Sequence, residues 1–106
     1  MAKLQYIRLG FREAKRHAIV GLKGDIRHEP RDAQAQKNLL AVGEVSPEEV
    51  SQLIATCVGT QYGSSPHYVD PSVEVHEFFP GRGRPGARWY IKLYFRQNIV
   101  FISVHR

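Results

Sequence analysis

One cysteine in 106 residues, Cys57, excludes an internal disulfide and a cysteine-built four-ligand zinc site. No apolar run approaches the roughly 20 residues that a helical membrane span requires. The opening Met1-Ala2-Lys3-Leu4-Gln5 has no apolar signal core. Together these absences lead us to expect a cytoplasmic chain with no membrane partner and no structural metal. Acidic residues are scarce too. Ten Asp and Glu face fifteen Lys and Arg, for a net charge of +5 and a pI near 9.7. A balance of that sign favours an anionic partner such as nucleic acid or an acidic protein. Repeats and low-complexity segments are missing, and the 42% apolar content suits one globular domain over 1–106.

The order along the chain is helices first and strands second, which predicts an α+β fold. Phe11, Ala14, Ala18, Ile19 and Leu22 recur at helical spacing and predict a helix over about 11–22. Asp32 opens a second expected helix over 32–42, before Gly43. Ser46-Pro47-Glu48-Glu49 carries an N-cap serine, a proline at the first helical position and a glutamate at the third. It predicts a helix over 46–58, stopped by Gly59, with Val50, Leu53, Ile54, Cys57 and Val58 as the buried stripe. Residues 3–9 fit a short strand or a leader, 24–30 a loop, and 60–70 a structured loop or irregular strand. Strands follow over 73–79, 88–96 and 99–106.

Gln97-Asn98 forms a two-residue link between the last two strands, and the register follows from it. Arg96 faces Ile99, Tyr94 faces Phe101, Lys92 faces Ser103, and Tyr90 faces His105. Ile91, Leu93, Phe95, Val100, Ile102 and Val104 then form one apolar face, which must cover the helices. Tyr90, Lys92, Tyr94, Ser103 and His105 share the other. In strand 73–79 the same alternation expects Val73 and Val75 inward, with Glu74, His76 and Phe78 on the polar face.

Imidazoles, phenols, an ammonium and a hydroxyl on one face suit phosphodiester cleavage. A neutral His takes the ribose 2′-hydroxyl proton, and Lys or Arg holds the phosphate charge. Aromatic rings on a sheet stack unpaired bases. Metal binding by His67, His76 and His105 is an alternative, but the spacing matches no zinc motif and Lys92 would repel a cation. A non-catalytic module binding RNA or an acidic protein through the same face is another. Arg82, Arg84 and Arg88 flank a Gly/Pro loop suited to phosphate contact. His67, beside Pro66, is either a surface-loop residue or a base at the rim of the face.

Tyr62-Gly63-Ser64, Val75-His76-Glu77, Trp89-Tyr90-Ile91-Lys92 and Phe101-Ile102-Ser103-Val104-His105-Arg106 give the C-terminal half a family pattern. It resembles the MqsR-type toxins of bacterial toxin–antitoxin pairs, relatives of the RelE-like ribonucleases. The resemblance covers about 45 residues, and in residues 1–58 it extends only to helices preceding the sheet. It implies helices packed on a small curved antiparallel sheet, cleavage of mRNA without a metal or other cofactor, and an antitoxin partner. Tyr90 and Lys92 match the family's Tyr and Lys. His76 falls where members carry a polar active-site side chain, and His105 where they carry a basic one. Gly63 stands where a Lys is expected, which leaves that role empty or passes it to His67. The expected catalytic set is therefore His76, Lys92, Tyr90, His105 and His67. Arg82, Arg84, Arg88, Tyr94, Ser103 and Arg106 are the expected RNA contacts.

Overall fold

The computed structural model describes residues 9–28, 38–85, 89–97 and 99–106. Helix α1 spans Phe11–Gly21 and places Ala14 and Ala18 in the core. Strand β1, Ile26–His28, follows it. Helix α2 spans Pro47–Ala55 and starts with the capping box that its sequence announces. Ser46 Oγ accepts from the Glu49 amide at 3.1 Å, and the Glu49 carboxylate accepts from the Ser46 amide at 3.0 Å. Two otherwise unpaired backbone donors are thereby satisfied. A 3₁₀ turn over Gly59–Gln61 leads into β2, Tyr62–Pro66. Strands β3 (Glu74–Phe78), β4 (Tyr90–Arg96) and β5 (Ile99–His105) complete a five-stranded sheet in the order β1-β5-β4-β3-β2.

The register expected for the last hairpin holds at all four pairs: Arg96 with Ile99, Tyr94 with Phe101, Lys92 with Ser103, and Tyr90 with His105. Ile91, Leu93, Val100, Ile102 and Val104 are buried against the helices. Gln97 carries the turn's positive φ of 52°. The packing of α1 on β5 is close, since a Cβ on Gly21 would lie 2.3 Å from Val100 Cγ2. Only glycine lets the helix approach the strand this nearly.

Four expectations need correction. The sheet is mixed, because β1 pairs in parallel with β5, Ile26 opposite Val100. The expected second helix falls partly on 32–37, outside the described residues, and 38–42 are turns. There Asn38 supplants helical bonding. Its Nδ2 donates to the Ile102 carbonyl at 3.0 Å, and its Oδ1 accepts from the amides of Leu40, Ala41 and Val104. Helix α2 ends at Ala55, capped by Thr56, so Cys57 is buried just past the helix and Gly59 opens the 3₁₀ turn instead of stopping α2.

The fourth correction concerns β3. His76 lies opposite Leu93 and Phe78 opposite Ile91, so both belong to the helix-covered face. Val75 and Glu77 take the other face. The short strand or leader expected over 3–9 lies, except for residue 9, outside the described residues, as do Arg88 and Asn98. No helix among the described residues is long and apolar enough to cross a membrane.

Candidate functional site

The face of the sheet turned away from the helices is built in rows. Glu77 is paired with Lys92 and Lys92 with Ser103, giving a polar row across three strands, with Gly63 beyond Glu77 on the edge strand. On one side lies an aromatic row. The Phe79 and Tyr90 rings are stacked at 5.4 Å and 13°, and Tyr90 faces His105 at 6.2 Å. On the other side Tyr94 stacks on Phe101 at 5.0 Å and 5°, and His67 packs edge-on to Tyr94 at 4.8 Å. Same-face residues along a strand are about 7 Å apart. That separation sets an aromatic row on either side of a charged strip; Tyr94 is buried, so the more accessible ring of the second row is Phe101.

Within the strip, Tyr90 Oη donates to Glu77 Oε2 at 2.6 Å. Burial and the neighbouring carboxylate push the phenol's pKa well above its ordinary value of 10, so Tyr90 keeps its proton and holds Glu77 in place. Lys92 is half-buried and makes no ion pair among the described residues. A strand-mounted ammonium beside a fixed carboxylate offers a charge clamp and a proton acceptor in one place.

The Arg82 guanidinium lies over Phe79 at 4.4 Å, beside the strip. Arg106, an expected RNA contact, instead lies over Trp89 at 5.2 Å, and Trp89 packs against the helix-covered core. Arg82 and Arg84 sit on a loop with positive φ at Gly81 and Gly83. Arg27, on β1 opposite Phe101, adds an exposed guanidinium beside the second aromatic row, ion-paired with Asp25 at 3.4 Å. The helix cations are engaged elsewhere. Lys15 Nζ donates to the Cys57 carbonyl at 2.9 Å, and Arg16 pairs with Glu13 at 2.7 Å.

Of the expected catalytic residues, Tyr90, Lys92 and His105 come together on this face. His76 does not. It is 1% exposed, on the opposite side of the sheet. Its Nδ1 lies 2.8 Å from Tyr62 Oη, and its Nε2 is 3.7 Å from Glu74 Oε1. Burial lowers its pKa below 6.5, with the charge of His17 acting the same way and Glu74 opposing. His76 reaches a separate cleft of about 480 Å³ bordered by Asp70, Glu74 and Arg96. It cannot share a phosphate with Lys92.

His67 stands at the rim of the open face, but its Nδ1 accepts from the amides of Val69 and Asp70 at 3.1 and 3.3 Å. Those bonds place the neutral ring's proton on Nε2, so His67 presents a donor and not a base. Ser103 and Tyr94 lie on the open face as expected, while Arg88 is outside the described residues.

The sequence offers Glu77 as a hydrogen-bond partner of His or Arg groups or as a general base, but not its place on this face, and it gives no sign of Arg27. The place of Glu77 could have been found from the register of β3 against β4, had the strand's apolar parity been unambiguous. Arg27 had no signal, because β1 is only three residues long. Among the described residues, no group of three or more His, Cys, Asp or Glu side chains is arranged to hold a metal ion. Comparison with protein-family models, with curated proteins and with solved structures yields no match for this chain.

Proposed function

We propose that the open sheet face binds single-stranded RNA and cleaves it by attack of a ribose 2′-hydroxyl on the adjacent phosphate. The observation that carries this reading is the polar row Glu77–Lys92–Ser103 between two aromatic rows. A base stacks on the Phe79–Tyr90 row, and the phosphate beside it rests over Lys92. The Glu77 carboxylate takes the 2′-hydroxyl proton as the 2′-oxygen bonds to phosphorus. Lys92 holds the charge of the phosphorane, aided by the Ser103 hydroxyl. His105, as imidazolium, gives its proton to the departing 5′-oxygen when the P–O5′ bond breaks. The products are a 2′,3′-cyclic phosphate and a free 5′-hydroxyl. Tyr90 orients Glu77 and supplies a stacking surface. Arg82 and Arg84 draw the strand in. This is the metal-free RNA cleavage expected of an MqsR-type toxin, with Glu77 in place of a neutral His as the base. In that reading a partner protein of antitoxin type restrains the enzyme.

The test is incubation of the purified chain with single-stranded RNA in a chelating buffer. Cleavage to 2′,3′-cyclic ends is expected, and a strand with 2′-deoxy sugars should bind uncut. Binding without cleavage of any RNA would reduce the face to a recognition platform. Cleavage that appears only on adding a divalent metal would overturn the proposed proton transfers.

A further inference from the structure

Beside the polar row, the end of β2 and the first two residues of the loop 67–73 border a small cavity of about 190 Å³ on the open face. Pro66, His67, Tyr68, Val75, Glu77 and Lys92 line it. Val75 is a β-strand residue on the open face, yet it is buried, because this loop covers it. The cavity thus combines ring surfaces with the two groups assigned to the proton and the phosphate.

The loop is braced. The His67 amide donates to the Val73 carbonyl at 2.8 Å, and the Val73 amide to the Asp70 carbonyl at 2.9 Å. The Asp70 carboxylate accepts from the Ser72 hydroxyl at 2.6 Å and from Arg96 on β4. The Ser72 bond, with the Arg96 charge assisting, lowers the Asp70 pKa. These ties hold the His67 and Tyr68 rings stacked at 5.2 Å, with Tyr68 67% exposed. An exposed tyrosine on a fixed loop presents a large stacking surface at little entropic cost.

We infer that this cavity is a nucleobase pocket, and that it takes the base of the nucleotide whose 2′-hydroxyl is attacked. The inference rests on the cleavage reading above. The reason for that nucleotide is adjacency. The pocket opens onto Glu77, the group that removes the 2′-proton, and onto Lys92, which holds the phosphate. A base seated in the cavity against Pro66 and the stacked His67–Tyr68 pair brings its own ribose to Glu77. Tyr68 and His67 then determine which base is accepted, and Asp70 and Arg96 act as positioning residues for the loop. A pocket formed by a braced loop selects one base shape, whereas the aromatic rows accept any base.

The experiment uses strands in which every sugar but one is 2′-deoxy, so that cleavage can occur at a single nucleotide. That nucleotide carries adenine, cytosine, guanine, uracil or no base. The wild-type chain is expected to prefer one base and to cut the abasic strand least well. Tyr68→Ala should lower kcat/KM on the preferred strand by about 5- to 150-fold. It should leave the abasic strand unchanged, so that the base preference collapses. Tyr68→Phe, which keeps the ring, should retain the preference. Cutting of all five strands at one rate would remove the pocket and leave the cleavage reading standing. So would an unchanged base ranking in Tyr68→Ala. Failure to cut any strand would remove the cleavage reading and the pocket with it.

Discussion

His76 and Glu77 are neighbours in the chain and live in different media. The imidazole is enclosed among Tyr62, Glu74 and Phe95 on the side that the helices cover. The carboxylate faces outward beside Lys92. The two sides of the sheet divide the labour of the molecule. The covered side joins Phe78, Ile91, Leu93, Ile102 and Val104 to the helices and carries the folding free energy. The open side carries rings and charges whose removal leaves that core intact. The pairing of β3 with β4 decides which residue serves which purpose, and a shift of one position would exchange them.

The largest expected effects come as a pair that tests this division. Lys92→Ala should slow RNA cleavage by about 10²–10⁴ while the thermal midpoint stays near that of the wild type. Phe78→Ala, on the other side, should cost about 3–5 kcal/mol of stability in denaturant titration, because a fully buried ring leaves a cavity. If Lys92→Ala unfolded the chain, or if Phe78→Ala spared it, the division would not hold.

Next in size is Asn38→Ala. It removes partners from the buried Val104 amide and the Ile102 carbonyl. A loss of about 1–3 kcal/mol is expected, read from the midpoint of urea unfolding.

A smaller effect is expected from pH. His76 has its folded pKa below the ordinary 6.5, so the unfolded chain binds this proton more readily. Its contribution is fully present above about pH 6.5 and declines as the pH falls from there through the folded value. Measured by denaturation across that window, the slope should diminish in His76→Gln, whereas His105→Gln should leave this component in place.

The smallest expected change concerns salt. Replacing Arg82 and Arg84 by Ala should flatten the logarithmic salt dependence of RNA affinity by about 1.4, with all sequences weakened alike. An unchanged slope would put the phosphate contacts on other cations.

The hairpin of β4 and β5 was legible because both strands alternate cleanly and a two-residue link fixes their register. The helix at Pro47–Ala55 was legible because its cap is written in side chains that bond locally. Strand β3 misled for a physical reason. Val-Glu-Val-His-Glu-Phe-Phe has apolar residues at both parities. Val75 looks like core in the sequence and is indeed buried, but beneath the loop 67–73 on the open side. Burial by a loop leaves no periodic trace in a strand. The same holds for β1. Three residues cannot display a period, and the parallel pairing with β5 is a distant contact that local sequence does not encode.

The bonds from Asn38 to Ile102 and Val104 join positions 64 and 66 residues apart, and β1 meets the same strand from further back. Strand β5 is therefore the closure of the whole domain. During synthesis, α1, β1 and the turn at Asn38 emerge long before the surface they need. Contacts of this separation make a chain slow to fold, since a large loop must close before any of them is rewarded. The domain consequently has no early N-terminal subunit that could fold by itself. Neither the core nor the array of rings and cations exists until residues 99–105 have been made and have found their place.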